Sequence, residues 1–157
     1  MDDCYRTELV SIEIEMKNQF TIKTSLISAC GMNCRICSGY LRDKNKCPGC
    51  RNIDWEKRTK GRKCTIISCK HLAENNLKYC GDECGSFPCK RLIQLDKRYR
   101  TKYSMSMIDN LNNINQFGIR EFIKSEKLRW ACSDCGGVIN VHKKVCSECG
   151  VKDINSN

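Results

Sequence analysis

Two Cys-x2-Cys pairs, Cys132/Cys135 and Cys146/Cys149, stand ten residues apart in the stretch "WACSDCGGVINVHKKVCSECG". No other feature of the chain limits its folding as tightly. A tight turn lets each pair offer two thiolates to one metal ion. The glycine after each pair, Gly136 or Gly150, accepts the dihedrals such a turn needs. Between the pairs, "GVINV" has room to run as a strand. The spacing predicts a zinc ribbon over 130–150 with tetrahedral coordination by four thiolates. Four thiolates leave no open position for water or substrate, so the predicted site is structural. His142 is superfluous to it and reads as an exposed or capping histidine. Trp130 is expected to pack on the module or to join it to the segment before it.

The chain carries 15 cysteines in 157 residues. Cysteines this dense form disulfides in an oxidising compartment or bind metal inside the cell. The start, "MDDCYRTELVSIEIEMKNQF", is acidic and lacks the apolar run of about seven residues or more that a secretory signal needs. No stretch approaches the roughly 18 to 20 apolar residues of a membrane span. The expectation is an intracellular, cytoplasmic metal protein with no membrane partner.

Ten cysteines fall between 30 and 89: Cys30, Cys34, Cys37, Cys47, Cys50, Cys64, Cys69, Cys80, Cys84 and Cys89. Cys34/Cys37 and Cys47/Cys50 form a second set of paired knuckles, nine residues apart, and are assigned one zinc. A second core metal would draw on Cys64, Cys69, Cys80, Cys84, Cys89 and Cys30, with His71 as a further candidate ligand. The spacing leaves that partition open. The competing reading starts from Cys30-x3-Cys34-x2-Cys37, which can wrap three corners of a 4Fe–4S cluster, the fourth ligand coming from elsewhere in the core. Radical SAM enzymes use the same spacing, but this chain has neither the length nor the repeated strand–helix pattern of their barrel. Cys4 stands outside both groups as a free thiol.

The surrounding pattern gives a small metal-stabilised α+β fold. Residues 1–27 read as an N-terminal β-hairpin, from the alternation of Ile12, Ile14 and Met16 and its repeat at Phe20 and Ile22. Residues 28–103 form an irregular cysteine-rich core with short helices and sparse apolar residues, where metal would replace buried area. Pro88 is suited to opening a helix that buries Leu92, Leu95 and Tyr99. A helical segment over 104–129 is predicted to start with Ser104 as N-cap, to bury Met107, Leu111 and Ile114, and to break at Gly118. Ile119, Phe122 and Ile123 then mark a short third helix. Residues 151–157 read as a flexible tail.

The formal charge is +10, but each zinc held by four thiolates adds a net negative charge, so three such sites would leave about +4. Basic stretches remain at "EKRTKGRKC" and at "CKRLIQLDKRYRTKY", where Lys90, Arg91, Lys97, Arg98, Arg100 and Lys102 surround one helix. They are the candidate nucleic-acid contacts. The alternative is a solvated face whose Tyr99 and Tyr103 pack inward. No Ser–His–Asp set, HExxH, P-loop or GxGxxG is present. A thiol-rich site with an open position remains the route to an enzymatic role.

The motifs "ACGMNCRICSGYL", "KCPGC", "CTIISCKH", "YCGDECGSFPCKRL", "DKRYRTKY" and the terminal module together resemble the DUF3795 family, small cysteine-rich proteins of unknown function, over about residues 28–150. The resemblance implies zinc binding and one integrated unit through the terminal ribbon. It carries over no catalytic residue. From the residues and the resemblance together, the chain is expected to be a multi-site structural zinc protein that acts as a protein or nucleic-acid interaction module. The alternative is an iron–sulfur protein with an electron-transfer, redox-sensing or thiol-dependent role.

Overall fold

A computed structural model of the chain describes residues 20–52 and 64–152. Cys4, most of the expected hairpin and the basic stretch before Cys64 lie outside the described residues. Phe20 and Ile22 are buried in the core, but the chain there leads into a 3-10 turn over Thr24–Leu26. A second 3-10 turn, Cys34–Ile36, runs into the one-turn helix α1, Ser38–Leu41. The short α2 spans Lys70–Glu74. The long helices α3, Lys90–Tyr103, and α4, Met107–Arg129, follow and pack together. The antiparallel strands β1, Ile139–Asn140, and β2, Val145–Cys146, close the fold, with Ile139 opposite Cys146. The described residues thus form a small α+β structure.

The helices follow their apolar spacing. On α3, Leu92 is fully buried while Leu95 and Tyr99 are half-buried. Pro88 lies two residues before the first helical residue, Lys90, because Cys89 is the N-cap. On α4, Met107, Leu111, Ile114 and Phe122 are buried. Gly118 interrupts α4 with φ 82° and ψ 161°, a conformation nearly confined to glycine.

Ser104 does not cap α4. It ends α3 in the left-handed region, and Ser106 is the N-cap, its Oγ accepting from Asp109 N at 3.0 Å. The reason is Asp96. This buried carboxylate accepts from Ser106 Oγ at 2.7 Å, Ile108 N at 3.1 Å and Arg100 Nε at 3.1 Å. Burial pushes its pKa up, but these hydrogen bonds outweigh burial and hold it below the ordinary value.

The core is less dependent on the 30–89 segment than its sparse apolar residues suggest. Met32, Ile36, Ile66 and Leu72 are buried in it. The remainder comes from Phe20, Ile22 and Ile27 before it and from α3, α4, the link between them and the terminal module: Leu92, Met105, Met107, Phe122, Trp130, Val138 and Val141 join the same cluster. Long-range hydrogen bonds join these parts. Val141 N donates to Ile36 O at 3.0 Å, Cys80 N to Ala29 O at 2.8 Å, and Asn110 Nδ2 to Gly31 O at 2.9 Å. Asn33 Nδ2 donates to Glu126 Oε2 at 3.0 Å, with both residues buried.

The terminal module extends past residue 150. Cys146 N donates to Val151 O at 2.8 Å, and Val145 bridges to Lys152. Val151 and Lys152 therefore belong to the module rather than to a loose tail. Among the described residues, no helix is long and apolar enough to cross a membrane.

Candidate metal centre

The terminal cysteines converge. The Sγ atoms of Cys132, Cys135, Cys146 and Cys149 all lie within 4.8 Å of one another. Cys132 meets Cys149 at 3.7 Å, and Cys135 meets Cys146 at 3.6 Å. A tetrahedral zinc with Zn–S bonds of about 2.3 Å requires neighbouring sulfurs about 3.8 Å apart. Two of the sulfur pairs already have that spacing, and the remaining pairs lie within 4.8 Å.

Two matching knuckles produce it. Gly136 N donates to Cys132 O at 2.9 Å, and Gly150 N to Cys146 O at 3.1 Å. Both glycines have positive φ, 73° and 75°, as the turn requires. Backbone N–H groups also point at sulfur: Gly137 N to Cys135 Sγ and Glu148 N to Cys146 Sγ, each at 3.4 Å. Such donors favour thiolate over thiol. Gly137 is needed for a different reason. A Cβ there would lie 3.1 Å from Cys146 Sγ and 2.4 Å from Glu148 Cγ, so the knuckles meet only across a bare backbone. The Val151 N–H lowers the pKa of Cys149, while burial pushes Cys146 up to about 12.

His142 takes no part in this cluster. Its Nδ1 accepts from Ser38 N at 3.2 Å, so it caps the first turn of α1 from across the fold. Its Nε2 contacts Tyr99 Oη at 3.2 Å. The rings of Tyr99 and Tyr103 stand edge-on to it at 5.7 and 4.7 Å. Beside it, Asn140 Oδ1 accepts from Ser38 Oγ at 2.8 Å and from His142 N at 3.0 Å. Trp130 is 3% exposed, with Arg129 and Lys144 within 5.1 and 5.2 Å of its ring centre. Its ring joins module to helices and is closed to a nucleobase. The indole N–H has no acceptor in hydrogen-bond geometry, although the Glu126 carboxylate is near enough to feel it.

The ten core cysteines are arranged differently. None of the fourteen described cysteines forms a disulfide. Cys34, Cys37, Cys47 and Cys50 are gathered, each within electrostatic reach of another of the set. The Cys50 thiol donates to Cys34, which brings Cys34 down to about 7 and raises Cys50; the charge of Arg51 adds to the fall at Cys34. Cys30 is buried, with its Sγ 3.0 Å from Ser28 Oγ, and burial raises its pKa. Cys64 lies beside it. Cys69, Cys80, Cys84 and Cys89 line a separate cavity. Among the described residues, only the terminal set brings three or more donor atoms within 4.8 Å of one another.

His71 is not among the converging donors. Its Nε2 meets Asp82 O at 2.9 Å, and its Nδ1 lies 3.3 Å from Asn75 Nδ2. Of the six basic residues on α3, Arg100 is exposed along part of its side chain but is committed to the buried Asp96. Besides Asp96, it donates from Nη2 to Ser106 Oγ at 2.7 Å. Arg91 Nη1 donates to Thr65 O at 3.3 Å. Lys90, Lys97, Arg98 and Lys102 are exposed. The Asp96, Ser106, Asn33 and Glu126 contacts were not visible in the sequence. Only Ser106-x2-Asp109, an N-cap signature, offered a local clue.

No family model matches the chain, and neither the curated proteins nor the solved structures give a match.

Proposed function

We propose that the chain is a structural zinc protein whose terminal four-cysteine site fixes a ribbon against the cysteine-rich core, and that the resulting unit works as an interaction module. The convergence of Cys132, Cys135, Cys146 and Cys149 carries this reading. The donor set suits zinc, with four soft sulfurs at tetrahedral spacing and backbone N–H groups that favour thiolate. The metal would supply folding energy rather than chemistry, since four thiolates fill its coordination shell. The ribbon's contacts with Ile36, Ser38 and Tyr99 pass that energy to the rest of the fold. The order of its cysteine motifs, which resembles that of the DUF3795 family, fits such a unit.

The working surface in this reading is the outer face of α3, where Lys90, Lys97, Arg98 and Lys102 are exposed. It suits an anionic partner, either nucleic acid or an acidic protein. Zinc analysis of the purified full chain, before and after chelation, tests the first part. The expected outcome is zinc that Cys132→Ser or Cys149→Ser removes, with cooperative unfolding of the ribbon on chelation. A ribbon that keeps its fold without metal would overturn the reading. Titration with a nucleic-acid duplex at several salt concentrations tests the second part. Binding should weaken steeply with salt and in the Lys97→Glu/Arg98→Glu/Lys102→Glu variant.

A further inference from the structure

Cys69, Cys80, Cys84 and Cys89 line a half-open cavity of about 420 Å³, with Leu72 and Phe87 in its wall. The sequence brings these four thiols together through two helix starts and one loop. Cys69 is the N-cap of α2 and Cys89 the N-cap of α3. The loop between them is held by Cys80 N donating to Ala29 O, Cys84 N to Gly81 O at 3.3 Å and Phe87 N to Cys84 O at 3.1 Å. The thiols surround one space.

The geometry points to a second metal centre in this cavity, a 4Fe–4S cluster ligated by Cys69, Cys80, Cys84 and Cys89. The contrast with the terminal site distinguishes a cluster from a single ion. One tetrahedral zinc draws its sulfurs to about 3.8 Å separation, as the terminal thiols are drawn. No three of the cavity thiols approach one another within 4.8 Å. A cubane puts iron and sulfide between its ligands and therefore needs thiolates that stand apart around a volume. Leu72 and Phe87 give it an apolar wall on one side, of the kind that tunes such a centre. A cluster with four thiolates is anionic. Lys70, Lys90 and Arg91 line the same cavity, and the amino end of α3, a 14-residue helix, adds positive potential at Cys89. This centre does not use Cys30, Cys34 or Cys37, where the sequence spacing alone had suggested a cluster, and it does not depend on the terminal zinc site.

The test uses the full chain, purified without oxygen and reconstituted with iron, sulfide and a thiol reductant. Iron, acid-labile sulfide, zinc and visible absorption are then measured. The expected result is about four irons and four sulfides per chain, with a brown charge-transfer absorption. Cys84→Ser and Cys89→Ser should lose the iron, sulfide and colour but keep the zinc of the terminal site, which also reports that they fold. Cys132→Ser should lose that zinc and keep the iron. Wild-type protein that takes up no iron would overturn the proposal, as would a zinc ion that Cys84→Ser removes. Iron that survives both cavity variants and disappears in Cys34→Ser would overturn it too.

Discussion

The backbone N–H of Ser38 donates to Nδ1 of His142 at 3.2 Å, across 104 residues of sequence. A neutral imidazole has one donor nitrogen and one acceptor. With Nδ1 accepting, Nε2 carries the proton and donates to Tyr99 Oη. One ring thus joins the start of α1 to α3 by way of the terminal module.

That arrangement predicts a pH dependence. Protonating Nδ1 breaks the Ser38 bond, and burial already holds the His142 pKa below the ordinary imidazole value. With a depressed folded pKa, the unfolded chain takes up the proton first. The contribution is therefore full above about pH 6.5 and is lost as pH falls toward the folded value. His142→Phe should lower the Tm most at about pH 8 and progressively less toward about pH 5. A difference that stays constant with pH would count against the role.

Glu126 should behave in the opposite sense. Burial raises its pKa, against the hydrogen bond from Asn33 and the charge of Arg129. Its contribution is full below the unfolded value of about 4.5 and is lost as pH rises through the folded one. Glu126→Gln keeps an acceptor for Asn33 and removes the buried charge. Its Tm at neutral pH should equal or exceed that of the wild type, with the gap closing near pH 4. Glu126→Ala leaves the Asn33 amide unpaired and should cost about 1–3 kcal/mol. Thermal scans across pH check both variants.

Asp96→Ala removes the acceptor for Ser106 Oγ, Ile108 N and Arg100 Nε at once. The expected loss is about 3 kcal/mol in urea unfolding. Arg100→Gln should lower stability through the same network and leave binding to an anionic partner little changed. A large binding defect with full stability would return Arg100 to the outer face.

Gly118→Ala separates backbone cost from packing cost, because nothing lies within 4 Å of the position a Cβ would take. The expected loss is about 1–3 kcal/mol, entirely from the dihedrals. If α4 straightens instead, Phe122, Glu126 and Trp130 leave the core. Fluorescence in a Trp55→Phe background, which isolates Trp130, would then shift to the red.

The sequence revealed what is local. The paired cysteines with a glycine after each pair determined the terminal knuckles. The stripe of Leu92, Leu95 and Tyr99 and the break at Gly118 followed from spacing and backbone chemistry. The start of α4 did not, because "SMS" offers two capping serines and the choice is made by Asp96, ten residues before Ser106. The partnership of Asn33 with Glu126 spans 93 residues, and no local pattern encodes it. The division of the core cysteines was equally hidden. Cys30 shares the spacing of Cys34 and Cys37, yet its thiol is buried against Ser28, while four cysteines without a Cys-x2-Cys pair surround the cavity.

The contact between Asn140–His142 and Ile36–Ser38 also couples the two ends of the fold thermodynamically. Cys37 immediately precedes Ser38, so the backbone that presents its thiol is held by the module that Cys132, Cys135, Cys146 and Cys149 organise. Linkage then runs both ways. Whatever factor a metal at the terminal site adds to the affinity of the Cys34, Cys37, Cys47 and Cys50 group, occupation of that group returns to the terminal site. Metal bound at these two groups would load cooperatively, and removing it from one would weaken the hold of the other, while the separate cavity of Cys69, Cys80, Cys84 and Cys89 lies outside this linkage.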